Sequence, residues 1–210
     1  MSGAVVIANN SGTWPVAAGC GAWIAARTRH AIMPTSAART RTLYIYPARP
    51  PSRLRRFGSC AVLQITPLLR AIVDHVNTHG ADKKLFAVLI DQLTSQRELP
   101  LFLPSLSSPI AQRVAEALVS DLADTPRIRD LAAEFGVSDR TLERAFVADA
   151  QMPLGEWRQR ARIGRAIGLL AGGTDVKDVA LEVGYETPSA FVVAFKKYVG
   201  MTPGKLRSEL

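Results

Sequence analysis

The 210-residue sequence predicts an α+β chain: a short β-rich N-terminal part, then an all-α part in which two copies of a helical unit are joined by a long helix. Three observations carry this. The hydrophobic period lengthens from about two to about 3.6 residues near Pro67, a Pro- and Ser-rich segment interrupts the chain at 98–109, and the residues after it repeat at offsets of 48 and 49. The expected division is 1–97, a linker at 98–109, and 110–210.

Between residues 3 and 66 the apolar runs "AVVIA", "GAWIAA", "RTLYIYP" and "CAVLQITP" are short and rich in β-branched or aromatic residues, with Gly, Pro, Asn and Ser between them. That pattern predicts strands joined by turns. From Pro67, "PLLRAIVDHVNTHG" and "KKLFAVLIDQLTSQ" place apolar residues at helical spacing, with Pro67 at a start and Gly80 at a stop. "ELPLFLPSLSSP" then reads as a linker because three prolines fall among serines.

In the repeat, "DLAAEFG" at 130–136 matches "DVALEVG" at 178–184, and "RTLERAF" at 140–146 matches "SAFVVAF" at 189–195. One inserted residue in the second turn accounts for the change of offset. Each copy has a short helix, a glycine (Gly136, Gly184) suited to φ > 0, a capping residue (Ser138, Thr187), and a second helix whose i,i+4 pair (Leu142 with Phe146, Phe191 with Phe195) faces its own core. Pro188 fits the first helical position. Small residues at Ala132 and Ala180 permit close approach of the two helices. This is the grammar of a helix-turn-helix, which places its second helix in the major groove of DNA.

Charge bears on this unevenly. Residues 1–108 carry 12 Lys/Arg and 4 Asp/Glu, whereas 109–210 carry 14 of each, so the net +8 lies in the first half. DNA binding by the repeat must rest on locally clustered cations. The exposed face of the first copy offers Asp139, Arg140, Glu143 and Arg144, and arginine there can reach guanine bidentately. A solvated surface with ion pairing along the helix is the plain alternative. "LGEWRQRARIGRAIGLLAGG" joins the copies as one helix; its Arg158, Arg160, Arg162 and Arg165 are candidate phosphate contacts, and its Gly164 and Gly168 serve either close packing or flexibility.

The segments "RIRDLAAEFGVSDRTLERAF", "GEWRQRARIGRAIGLLAGG" and "VKDVALEVGYETPSAFVVAFKKYVGMTPGKLR" resemble, in order and spacing, the DNA-binding domain of AraC/XylS-type transcription regulators. The resemblance implies two helix-turn-helix units binding promoter DNA to activate or repress transcription. It puts Arg140 and Arg144 at base-reading positions and Val193 where many members carry arginine. In the second copy Ser189, Val192 and Val193 are then the base-facing candidates, and Ser138, Arg158, Arg162, Thr187, Lys196 and Lys197 the phosphate candidates. "GTWPVAAGCGAWIAARTRHAIMPTSAARTRTLYIYP" resembles the later strands of the cupin-like sensor of one branch of this family, a branch that also tolerates apolar second readers. The early strands and a His-x-His motif have no counterpart, so Met1 is expected to be an internal start or the start of a reduced sensor. RNA polymerase, a small-molecule effector and a second copy of the chain are further partners compatible with the family.

Other classes find less support. Cys20 and Cys60 have neither metal-ligand spacing nor the density of a secreted scaffold, and read as free buried thiols in a reducing cytoplasm. No basic signal region and no membrane-length apolar run is present. His75 and His79 are one turn apart but lack a third ligand, and His30 stands alone. No phosphate loop, nucleophile elbow or carboxylate pair appears, so the sequence nominates no catalytic residue, metal or cofactor. A third reading, a protein-interaction module that has lost DNA binding, draws on the neutral second half and the apolar "SAFVVAF".

Overall fold

A computed structural model describes residues 3–35, 37–46, 51–124 and 126–208. Strands Val5–Asn9 (β1) and Gly12–Val16 (β2) form an antiparallel hairpin, with Ile7 opposite Trp14. Cys20–Ile24 (β3), Ala31–Pro34 (β4), Cys60–Gln64 (β5), Glu98–Leu99 (β6) and Leu103–Pro104 (β7) complete two sheets, in the orders β4-β1-β2-β7 and β3-β5-β6. All their pairings are antiparallel.

β5 shows why both sheets hold. Its four residues Cys60–Leu63 are all buried, and they alternate between two environments. Cys60 and Val62 face the core shared with Ile7, Trp14 and Val16, while Ala61 and Leu63 face Leu54, Phe57 and Ile90. A strand covered on both sides reads as an unbroken apolar run. The second cover comes from a 3-10 turn at Ser52–Phe57 and the helix Lys83–Thr94 (α2), against which the helix Pro67–His79 (α1) packs in turn; Thr66 caps α1 and Asp82 caps α2. Gly80 ends α1 at φ 78°.

Two expectations change. "RTLYIYP" forms no ladder over 41–46; Leu43 and Ile45 are half-buried against the helical clusters and Tyr44 and Tyr46 point outward. Its period of two is satisfied by packing on helices instead of by a partner strand, and Pro47 lies outside the described residues. The 98–109 segment connects the halves but is not a free spacer. β6 pairs with β5, β7 pairs with β2, and Leu99 and Leu101 are buried, because its apolar residues outweigh its prolines.

Six helices follow: Pro109–Ser120 (α3), Ile128–Glu134 (α4), Asp139–Ala150 (α5), Leu154–Ala171 (α6), Val176–Glu182 (α7) and Pro188–Val199 (α8), with a last turn at Pro203–Ser208 (α9). The 48 and 49 offsets are visible in these boundaries. α6, of 18 residues and about 27 Å, belongs to two cores. Its Leu154, Trp157 and Ala161 pack with α3, α4 and α5; its Ile163, Ala166, Ile167 and Leu170 pack with α7, α8 and α9.

The second of these cores is continuous with the sheets. Ile7, Trp14, Val62 and Leu101 belong to the same buried cluster as Phe191, Phe195 and Val199. Gly164 and Gly168 face this side: a Cβ on Gly164 would lie 3.4 Å from Pro15, and one on Gly168 3.8 Å from Thr35. Both distances are ordinary van der Waals contacts, so the two glycines lie against the β-rich half at positions that would also admit a Cβ.

Candidate nucleic-acid interface

Each helix-turn-helix is built by the same local devices. Gly136 (φ 70°) and Gly184 (φ 79°) follow the caps of α4 and α7. In copy one the N–H of Gly136 donates to Ala133 O and that of Val137 to Ala132 O; in copy two Gly184 donates to Leu181 O and Tyr185 to Ala180 O. These paired bonds satisfy helix-terminal carbonyls and require the left-handed glycine. Ser138 and Thr187 then start α5 and α8, their hydroxyls accepting from Thr141 N–H at 3.1 Å and Ala190 N–H at 3.2 Å. Leu142, Phe146, Phe191 and Phe195 are fully buried, which fixes the outward face of each second helix.

On α5 that face carries Arg140 and Arg144, both exposed, and neither side chain bonds a described residue. Glu143, the one acid between them, is turned away: its Oε2 accepts from Leu154 N–H at 3.3 Å, at the start of α6. The ion-pairing alternative thus loses its nearest partner. On α8, Ser189 is exposed and Val193 is 72% exposed, whereas Val192 is half-buried. Ser189, Ala190, Val193 and Ala194 line an open groove of about 710 Å³ whose other wall is Gly155, Glu156 and Gln159 of α6. Sequence reasoning missed Ala190 and Gln159, because the groove arises only when α6 lies beside α8.

The groove wall is anchored. Tyr198 Oη donates to Glu156 Oε2 at 2.8 Å and Arg160 Nε to Oε1 at 3.0 Å. Burial pushes the Glu156 carboxyl up, but these two bonds and the nearby cations outweigh it and hold the group below the usual carboxylate range. Burial and the same carboxylate raise the Tyr198 hydroxyl.

The arginines of α6 divide sharply. Arg162 is a correction: it is only 7% exposed, its Nη2 donates to Leu122 O at 3.2 Å, and its guanidinium stands 5.9 Å from the Tyr185 ring. It cannot contact phosphate while holding the α3–α4 connection to the turn of copy two. Its Nε is buried without a partner, and burial, then Arg158, lower its pKa. Arg158 donates to Pro126 O at 2.9 Å and is half-buried. Arg160 donates to Phe102 O, and Arg165 pairs with Glu182 at 2.8 Å. Lys196 and Lys197 are exposed in the last turn of α8, where a helix C-terminus also favours cations.

Elsewhere, Cys20 and Cys60 are both buried and form no disulfide with each other, and burial pushes the Cys60 thiol up to about 11. The rings of His75 and His79 stack at 4.6 Å on α1, and His30 Nδ1 donates to Thr28 O. Among the described residues no helix is long and apolar enough to cross a membrane.

Residues 131–209 match the helix-turn-helix domain family. The chain is 28% identical over 217 residues to the HTH-type transcriptional regulator NimR of Escherichia coli, covering 100% of this chain and 78% of that protein. It is 38% identical over 101 residues to the regulator RipA of Corynebacterium glutamicum (48% of this chain, 30% of that one). A putative AraC-like transcription regulator of Streptomyces lividans is 37% identical over 108 residues (50% and 35%). The chain thus spans about a third of the length of the last two. Two helix-turn-helix units on one connecting helix, together with these relatives, show that the chain carries a helix-turn-helix domain of the kind found in AraC-like transcription regulators.

Proposed function

We propose that the chain reads promoter DNA asymmetrically, with hydrogen-bonded base recognition concentrated in copy one. The observation that carries this is the pair Arg140 and Arg144, exposed and unpaired among the described residues because Glu143 is committed to α6. Each can form a bidentate contact to guanine in the major groove. Copy two contributes Ser189, the methyl groups of Val193 toward thymine, and phosphate contacts from Thr187, Lys196 and Lys197. Ser138 is the matching phosphate contact of copy one. Val192 supports Val193 more than it reads a base, and Arg158 reaches phosphate only by releasing Pro126 O. The length of α6, about 27 Å, with the flanking helices suits two readers on successive major-groove faces about 34 Å apart.

In this reading the protein is a cytoplasmic regulator and not an enzyme. Its β-rich half is a cupin-like sensor that answers to an effector and pairs with a second copy, and RNA polymerase is the recipient of the signal. The test is selection of binding sites from randomised duplex, followed by titration of the full chain in a salt series. Arg144→Ala should lose about 1–3 kcal/mol of discrimination between selected and scrambled duplex, and Val193→Ala less. Equal discrimination by the Arg144 variant and the parent contradicts the asymmetry. No binding at low salt by the folded chain ends the DNA reading and favours the interaction module.

A further inference from the structure

Arg162 is the ninth of the 18 residues of α6 and stands where that helix changes cores. Ala161 before it packs in the cluster of copy one, Ile163 after it in the cluster of copy two, and the two clusters share no buried residue. Its guanidinium reaches both copies. Nη2 donates to Leu122 O at 3.2 Å and to Asp124 O at 3.5 Å, on the connection from α3 to α4, and Leu122 belongs to the buried cluster of copy one. The Tyr185 ring, packed against the cluster of copy two, lies 5.9 Å from the same guanidinium, and Gln159 Nε2 donates to its hydroxyl. Gly184, beside Tyr185, has no room for a Cβ, which would lie 2.3 Å from Leu122 O.

A buried guanidinium is a costly filler for such a seam. Among the described residues Arg162 forms no ion pair and its Nε has no partner, so an apolar side chain of similar length would be buried there at far less cost. What the planar fork adds is direction, since its donors are fixed relative to one another. Buried polar groups of this kind are best attested as devices that set register. We infer that Arg162 is a positioning residue for DNA reading: it fixes where the second reader starts relative to the first, and so sets the separation of the two half-sites that the chain accepts. The inference rests on the regulator reading above and adds to it the residue that sets the length of the site.

α6 alone is too pliable for this task. Gly164 and Gly168 follow Arg162 closely and are poor helix formers, and long helices commonly bend. A bend of about 15° at the middle, carried over the roughly 13 Å to the end of α6, moves the second reader by about 3.5 Å, close to the rise of about 3.4 Å for one base pair. Without the Arg162 clamp, sites one base pair too long or too short would therefore be accepted. α8 is held at its far end as well, where Gln64 Nε2 donates to Gly200 O at 3.4 Å, so a displacement of the sheets swings α8 about a fixed start.

The test uses the full chain and three duplexes: the selected site, and the same site with one base pair inserted or removed between its halves. The parent should bind the selected site at least about tenfold tighter than either altered site, and Arg162→Met should lower that ratio at least about threefold. Gly184→Ala, which forces Leu122 O and Arg162 Nη2 away from the turn of copy two, should lower it as well and serves where the first variant does not fold. Asp149→Asn, which loosens copy one at Ser107 and Ser108 without touching copy two, should keep the parent's ratio. A readout without DNA accompanies these. Nitroxide labels at Val147→Cys on α5 and Leu181→Cys on α7, both exposed, should give one narrow distance distribution in the parent and a broader one when Arg162→Met is added. A parent that binds all three duplexes alike overturns the assignment, as do ratios and distance widths left unchanged by folded Arg162→Met or Gly184→Ala, or an equal loss in Asp149→Asn. Broadened distances in a chain that binds no duplex keep the clamp and sink the regulator reading; duplex binding with unchanged ratio and width does the reverse.

Discussion

Gly136 and Gly184 occupy the same place in the two copies, and the structure separates what each would lose on substitution by alanine. Both sit at positive φ, 70° and 79°, where a side chain costs about 1–2 kcal/mol. Part of that is returned, because alanine has less freedom to lose on folding. At Gly136 nothing lies within 4 Å of the added Cβ, so Gly136→Ala should cost about 1 kcal/mol. At Gly184 the Cβ would lie 2.3 Å from Leu122 O and 2.6 Å from Arg162 Nη2. The first is backbone and the second is bonded to that same carbonyl, so neither can swing aside. Overpacking of this kind adds about 1–3 kcal/mol, which brings Gly184→Ala to about 2–4 kcal/mol. Urea unfolding followed by far-ultraviolet circular dichroism, read as the midpoint shift at constant slope, measures both. Equal shifts, or a larger one at Gly136, would refute the packing argument and the role given to Arg162.

Three further outcomes follow from named contacts. Arg162→Met should reduce stability, because Leu122 O loses a donor, yet leave the salt dependence of duplex binding unchanged; Lys196→Gln should lower that slope by about 0.9. A lowered slope for Arg162→Met would return Arg162 to the phosphate set. Asp149 accepts from Ser108 N–H and from the hydroxyl and N–H of Ser107, bonds that hold its carboxyl below the usual range against a small opposing effect of burial. A depressed folded pKa contributes stability that is complete above about pH 4 and lost as pH falls through the folded value. Melting temperature against pH should therefore be flatter for Asp149→Asn below about pH 4, and identical profiles would remove Asp149 from the acid response. Cys60, with its thiol pushed up to about 11 by burial, should react with iodoacetamide at about pH 8 only after urea unfolding; rapid alkylation of the native chain would contradict its burial.

The parts legible in the sequence were those written locally. Ser138 and Thr187 cap the helices they precede, Gly80, Gly136 and Gly184 take the positive φ their positions demand, and the helical apolar pattern Trp157, Ala161, Ile163, Ala166, Ile167 and Leu170 of α6 is buried throughout. Features settled by distant partners were not legible. β2 contains Pro15, which argues against a central strand, but its ladder with β7 covers only Gly12 and Thr13, leaving Pro15 beyond the pairing on that side. β6 and β7 are two residues each and exist because β5 and β2 offer edges to them. The ion-pairing alternative for Arg140 and Arg144 could be weighed only once Glu143 was seen to face α6. Arg162 looked like its neighbours, since nothing in "RARIGRAIG" says which arginine turns inward.

The apolar second reader follows from how the copies are packed. Copy one closes its own core with α3 and the start of α6, around Phe146 and Trp157 set edge to face at 5.7 Å. Copy two does not close alone: Phe191, Phe195, Tyr198 and Val199 share their cluster with Trp14, Val62 and Leu101 of the β-rich half. A displacement of the sheets therefore meets α8 directly, through continuous packing and through Gln64 on Gly200, whereas the core of copy one meets them at the two-residue β7, where Leu103 packs against it and Trp157 Nε1 donates to Pro104 O at 3.3 Å. Close-packed interiors transmit such displacements instead of absorbing them. A helix that must change its seat is poorly suited to bidentate arginine contacts, which tolerate little misplacement. Val193 and Ala190, in an open groove, demand less of geometry, while Arg140 and Arg144 stand on the copy whose buried cluster contains no strand residue and touches the sheets through Leu103 and Pro104 of β7. The division of labour between specificity and regulation is thus carried by which core each reader is buried in.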